Sequence, residues 1–176
     1  MSAGKYVILL ICALGLLSAG TAVVYHRGRA SRPLNFWGRE NALLIANAPR
    51  VNALRLESLP PDERQPRGET LHAQGETYSI IERQDASQAR GVSNIRRSLI
   101  ADESFAWQEP ATYCESGWQY ALEFQQAGKT ACVLFNFKCK QAALQEGNQS
   151  VSIRPANVDL RAFLEEQFDS LSEPRP

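Results

Sequence analysis

The clearest alternation of apolar and polar positions lies in "WQYALEF", where Trp118, Tyr120, Leu122 and Phe124 interleave with Gln119, Ala121 and Glu123. A second period-two run, "ACVLFNFKCK", sets Val133, Phe135 and Phe137 against small or polar neighbours. Successive side chains of a strand point to opposite faces, and "QAGKT" between the runs supplies Gly128 for a tight reversal. Together they predict an antiparallel hairpin. "VNALRLE" and "TYSIIER" predict two more strands, and "SVSIR" a last one after the "EGNQ" turn. The polar, proline-rich run between the first two, "SLPPDERQPRGETLHAQGE", predicts a long loop.

Helical spacing is clearest in "VDLRAFLEEQF", where Leu160, Phe163, Leu164 and Phe168 form one stripe. Val92, Ile95 and Leu99 form another within "DASQARGVSNIRRSLIAD". Asp85 is placed to cap that helix, and Gly91 weakens it by about 1 kcal/mol. "NALLIANAPR" predicts a short helix ended before Pro49, because the residue preceding proline is driven out of helical conformation. This order of elements predicts an α+β domain, an antiparallel sheet of four to five strands with helices packed on one face.

The N-terminal segment differs from the rest. From Tyr6 to Tyr25 the chain carries no charge, and a helix of that length matches the roughly 30 Å hydrocarbon core of a bilayer. One transmembrane helix is therefore expected ahead of the domain, making the membrane a partner and the protein single-pass. The organisation that follows is a signal-anchor segment at 1–25, a basic juxtamembrane linker at 26–40, one α+β domain at 41–170 and a disordered tail at 171–176. Gly20 and Ala22 have the small-residue spacing of a signal-peptidase site, whereas Arg27, Arg29 and Arg32 just beyond favour retention. In the linker, Phe36 and Trp37 are candidate interface aromatics at the headgroup level; covering the edge of the domain is the other reading. The basic flank favours a cytoplasmic domain by the positive-inside rule.

Composition narrows the partners. Nineteen basic and nineteen acidic side chains cancel, so no net field draws the chain to nucleic acid, and none is expected as a partner. No nucleophile elbow, zinc-protease helix, phosphate loop or dinucleotide fingerprint is present, which makes an enzyme the less favoured class. The histidines, His26 and His72, are not clustered with other metal-binding residues, so neither metal nor cofactor is expected. Glu115, Glu123 and His72 are the residues an enzymatic site would use, although alternation sends Glu123 to solvent. Asn148 heads an "NQS" glycosylation acceptor.

Three cysteines fall in the domain, and Cys12 lies in the apolar segment. Cys132 and Cys139 occupy opposite faces of one strand, so they neither chelate one metal nor bond to each other. Folding the hairpin about Gly128 brings the region of Cys114 opposite Cys139, within disulfide reach, which needs Cα atoms about 4.4–6.8 Å apart. Two buried free thiols are the alternative. Cys132 is then the third thiol of the domain, on the other face.

The stretch "CESGWQYALEFQQAGKTACVLFNFKC" resembles a recurring element in a family of small signal- or membrane-anchored proteins that carry a domain of unknown function. The shared features are a leading cysteine, a strand ending in an aromatic residue, "GKT" at the turn, Phe-x-Cys at the end of the second strand, and a closing helix like "LRAFLEEQF". The resemblance covers about residues 41–170, and this chain departs from it with "ESGW" where a proline or glycine commonly follows the first cysteine. It implies the fold, the Cys114–Cys139 pairing and an exported domain; charge and resemblance thus leave the side of the membrane undecided. The expected function is a membrane-anchored domain that binds or scaffolds an unknown protein partner. The alternative is a thiol-dependent redox or sensing module using Cys114 and Cys139. A binding module is expected to expose an apolar groove near Trp107 and Trp118.

Overall fold

The computed structural model describes residues 11–18, 20–21, 31–59, 68–109 and 117–169. A helical run at 31–37 ends at Gly38, whose φ of 76° turns the chain into α1 (Arg39–Asn47). Then follow β1 (Arg50–Ser58), β2 (Thr70–Ala73), β3 (Glu76–Asp85), α2 (Val92–Ile100), a 3₁₀ turn (Asp102–Ser104), β4 (Tyr120–Gln126), β5 (Lys129–Asn136), β6 (Gln141–Leu144), β7 (Ser150–Ser152) and α3 (Asn157–Asp169). All strand pairs are antiparallel, in the order β2-β3-β1-β4-β5-β6-β7. The β4–β5 reversal is a two-residue turn in which Ala127 and Gly128 both have positive φ, the twist that suits paired strands.

The sheet buries two clusters. On one face Val51, Ala53, Leu122, Phe124, Val133 and Phe135 meet Ile45, Leu99, Leu160 and Leu164 of the helices. On the other, Leu54, Leu56, Leu71, Ala73, Tyr78, Ala121, Cys132 and Leu134 pack with no helix among them. Curvature covers this second face. Gln74 Nε2 donates to the Gly147 carbonyl (3.2 Å) and Gln145 Nε2 to the His72 carbonyl (3.0 Å), joining the β2 edge to the β6–β7 turn. The strands thereby curl into a half-barrel with a small apolar interior.

Several expectations are corrected. The sheet has seven strands rather than four or five. The extra two, β2 (TLHA) and β6 (QAAL), are four residues each and lack the β-branched run that marks a strand. Asp85 ends β3, and its Oδ1 accepts the Ser87 N–H (2.8 Å) in a local turn instead of capping a helix. The helix starts only after Gly91, which has φ 91°.

The transmembrane helix is also overturned. Among the described residues no helix is long and apolar enough to cross a membrane. Of the segment between Tyr6 and Tyr25, which themselves lie outside the described residues, 11–18 and 20–21 are described and helical. The single-pass placement is corrected with the span, since no described helix provides it.

Trp37 belongs to the domain. It is 1 % exposed, its Nε1 donates to the Leu99 carbonyl (2.6 Å), and its ring meets Phe36 and Phe105 edge-on at 4.6 and 5.9 Å. Residues 31–37 are thus part of the fold rather than linker, and Phe36 packs against the same cluster.

Candidate functional site

The polar end of the half-barrel interior holds the best-connected charges. The β1–β3 register shifts between Arg55 and Leu56, leaving Ile81 without a cross-strand partner. This bulge puts Arg83 on the same face as Ile80 and Tyr78, a placement strict alternation forbids. Arg83 Nη1 there donates to Glu123 Oε2, while its Nη2 and Nε reach Glu69 at 2.6 and 3.2 Å. Asn52 Nδ2 and Gln125 Nε2 add contacts of 3.3 and 3.4 Å to the same Glu123 oxygen. Although burial opposes it, the hydrogen bonds to Glu123 and Glu69 hold the Arg83 guanidinium above its ordinary pKa. Glu123 is 9 % exposed, so its expected solvent-facing position is wrong: the curl of the sheet encloses that face. The donors that surround it commit it to an ion-pair network.

Cys132 is the cross-strand neighbour of Glu123 and is buried as a free thiol. Burial first, and the Glu123 carboxylate second, push its pKa up. It stays protonated near neutral pH and is a poor nucleophile.

At the other end of the interior Tyr78 is 1 % exposed and donates its hydroxyl to Glu76 Oε2 (2.5 Å). Burial, then this acidic partner, push its pKa from 10.0 up to about 12. Because the folded value lies above the unfolded one, the stability it contributes is complete below pH 10 and lost as pH rises towards 12. A phenolate titration at 295 nm should show one tyrosine ionising late, and Tyr78→Phe should remove that late step. An unchanged curve would contradict the burial.

The β5–β6 turn is stitched to the start of β4. Asn136 Nδ2 donates to the Gly117 carbonyl (3.0 Å), Asn136 Oδ1 accepts the Cys139 N–H (2.9 Å), and Gln119 Oε1 accepts the Phe137 N–H (3.2 Å). Gly117 is closely packed there: a Cβ would meet Ser58 Oγ at 2.3 Å and Tyr78 Cε1 at 3.0 Å, so both side chains would have to shift. Cys139, half-buried in this turn, is disulfide-bonded, whereas Cys12 and Cys132 are free. No disulfide joins two described residues, and Cys114 lies outside them.

Beside that turn a cleft of about 310 Å³ opens between the sheet and α3. Arg55 of β1, Gln119 and Tyr120 at the start of β4, Phe137 and Lys138 of the turn, and Arg161 and Glu165 of α3 line it. Its aromatic wall is Tyr120, whose ring lies 5.6 Å from Phe137 and 5.8 Å from Phe168. Arg161 Nε donates to Glu165 Oε1 (2.8 Å), and that contact raises the guanidinium's pKa. Arg55 and Lys138 are exposed and make no hydrogen bond or ion pair among the described residues. A second depression of about 620 Å³ at the β4–β5 tip is more polar, and its Lys129 is already paired with Glu40.

The remaining candidates stay apart. His72 is exposed on β2 with Nδ1 2.9 Å from Thr77 Oγ1, far in register from Glu123, and Glu115 lies outside the described residues. Among the described residues no group of His, Cys, Asp and Glu is arranged to hold a metal. Trp107 packs on the helix-covered cluster and Trp118 on the interior one, so they form no common groove. Asn148 is exposed in the β6–β7 turn. The cleft was missed in the sequence because Arg55, Lys138 and Arg161 come from three distant segments. Three basic residues without local clustering give no signal until the register is known. No protein-family model, curated protein or solved structure matches the chain.

Proposed function

We propose that this chain is a binding domain without catalysis of its own, and that the cleft between the sheet and α3 is its binding site. One observation carries the reading: a preformed concavity in which an aromatic wall and several charged side chains converge. Ligand sites are characteristically of this kind, a few placed polar groups around apolar surface. The described charged residues of the half-barrel interior, Arg83, Glu123 and Glu69, are bonded to one another. The test is a small-fragment screen followed by amide shifts of the labelled chain. Binding fragments should perturb Gln119, Tyr120, Phe137 and Lys138 together. Perturbations scattered over the surface, or centred on Gln125 and Lys129 at the hairpin tip, would reject the assignment.

The disulfide of Cys139 is proposed to be with Cys114, the remaining cysteine once Cys12 and Cys132 are set aside as free. The bonds tying Asn136 and Phe137 to residues 117 and 119 support it, because they hold the turn of Cys139 against Gly117, three residues along the chain from 114. Such a bridge would clamp the turn that carries Lys138 and contribute about 3 kcal/mol by closing the intervening loop. A redox role for the same pair is the second reading, favoured by the partial exposure of Cys139. Alkylation followed by peptide mapping should find 114 and 139 protected together until reductant is added. Labelling of Cys139 without reductant would dismiss the clamp.

A further inference from the structure

Two cations that make no ion pair among the described residues, and a third held by a single carboxylate, face one cleft, on a chain whose basic and acidic residues are equal in number. Arg55 has Glu82 directly opposite on β3, yet forms no ion pair with it. The other cross-strand neighbour of Arg55 is Tyr120, so the guanidinium and the aromatic wall are adjacent by register. The bulge beside Arg55 bends the strand at this point, a common device for re-aiming side chains near functional sites. Lys138 rides on a turn fixed at 2.9–3.2 Å by Asn136 and Gln119. Its backbone therefore needs little ordering when a ligand arrives. Like charges brought to one cleft repel one another, and a bound anion relieves that repulsion.

We infer that the ligand of this cleft is an oxyanion, carboxylate or phosphate, borne on a flat apolar group. The anion lies between Arg55 and Lys138, and the flat group lies against Tyr120 beside Arg161. This rests on the binding reading and narrows it to one chemistry. Both halves are needed, because neither the exposed cations nor the aromatic wall alone makes an enclosed site. Arginine with a carboxylate or phosphate supplies directed, charge-assisted hydrogen bonds, and a ring stacked on Tyr120 removes apolar surface from water.

The experiment is an amide-shift titration of the full labelled chain with phenyl phosphate, benzoate, inorganic phosphate and benzyl alcohol, each at low and high salt. Phenyl phosphate or benzoate should shift Gln119, Tyr120, Phe137 and Lys138 with a dissociation constant on the order of 1 mM. Binding should weaken several-fold between roughly 0.05 and 0.5 M salt. Arg55→Gln combined with Lys138→Gln should weaken it about tenfold or more, with the melting temperature unchanged. The tighter of the two acids identifies the anion as phosphate or carboxylate. Equal binding of benzyl alcohol, insensitive to salt, would overturn the oxyanion and leave the cleft as a binding site. Inorganic phosphate binding as tightly as phenyl phosphate would overturn the flat group. Silence towards all of these while other fragments still perturb the cleft would overturn this inference alone; silence towards every fragment would overturn the binding reading with it.

Discussion

Replacing Trp37 with alanine is expected to lower the unfolding free energy by about 3–5 kcal/mol, the largest single effect anticipated for this chain. The indole is 1 % exposed, and its neighbours Phe36 and Phe105 are themselves held in an aromatic group with Trp107. Removing it leaves a cavity that these rings cannot fill without leaving their edge-on contacts. It also strips the Leu99 carbonyl, at the end of α2, of the donor that reaches it at 2.6 Å. Trp37→Phe keeps much of the ring packing and loses the hydrogen bond, so a smaller loss of about 1–2 kcal/mol is expected. Urea unfolding followed by circular dichroism separates the two. If the indole instead lay at a lipid surface, the alanine variant would unfold at the same urea concentration as the parent.

Of the two readings of Trp37, headgroup level and domain edge, the structure takes the second, and a local pattern could not choose between them. The residue follows a basic stretch and precedes the first periodic helix, so nothing nearby reveals the pocket between residues 99 and 105 that receives it. The β4–β5 hairpin was legible because Trp118–Phe124 and Val133–Phe137 alternate strictly and Ala127–Gly128 suits the turn. Strands β2 and β6 were not, since four residues with alanine and glutamine owe their conformation to neighbours they pair with. The opposite burial of Cys132 and Val133 followed correctly from parity, but the environment of each face did not. A strand's outward side is solvated only if the sheet stays open, and here the glutamine contacts of residues 74 and 145 close it. Hence Glu123, polar at a polar position, looks like a surface residue from the sequence alone. The cleft required more still: the register of β1 against β4, the bulge beside Arg55, and the docking of α3.

Arg83→Met is expected to cost about 2–4 kcal/mol, less than a fully buried pair because Arg83 keeps 31 % of its side chain exposed. The cost arises at Glu123, whose side chain is 11 % exposed and would retain only the Asn52 and Gln125 amides, at 3.3 and 3.4 Å. An uncompensated carboxylate in an apolar interior is unfavourable whatever the arginine itself contributed. Removing both charges should therefore restore most of the loss: Arg83→Met with Glu123→Leu is expected within about 1 kcal/mol of the parent. Glu69→Ala should cost no more than about 1 kcal/mol, because Glu69 is 59 % exposed and its pair with Arg83 is screened by water. The double-mutant cycle read by urea midpoints decides the matter. Additive losses at 83 and 123 would show that the two side chains act separately. A loss at Glu69 as large as that at Arg83 would move the important contact to the rim. Compensation between 83 and 123 would show that the two charges act as one unit, brought to the same face by the bulge that leaves Ile81 without a cross-strand partner and 55 % exposed.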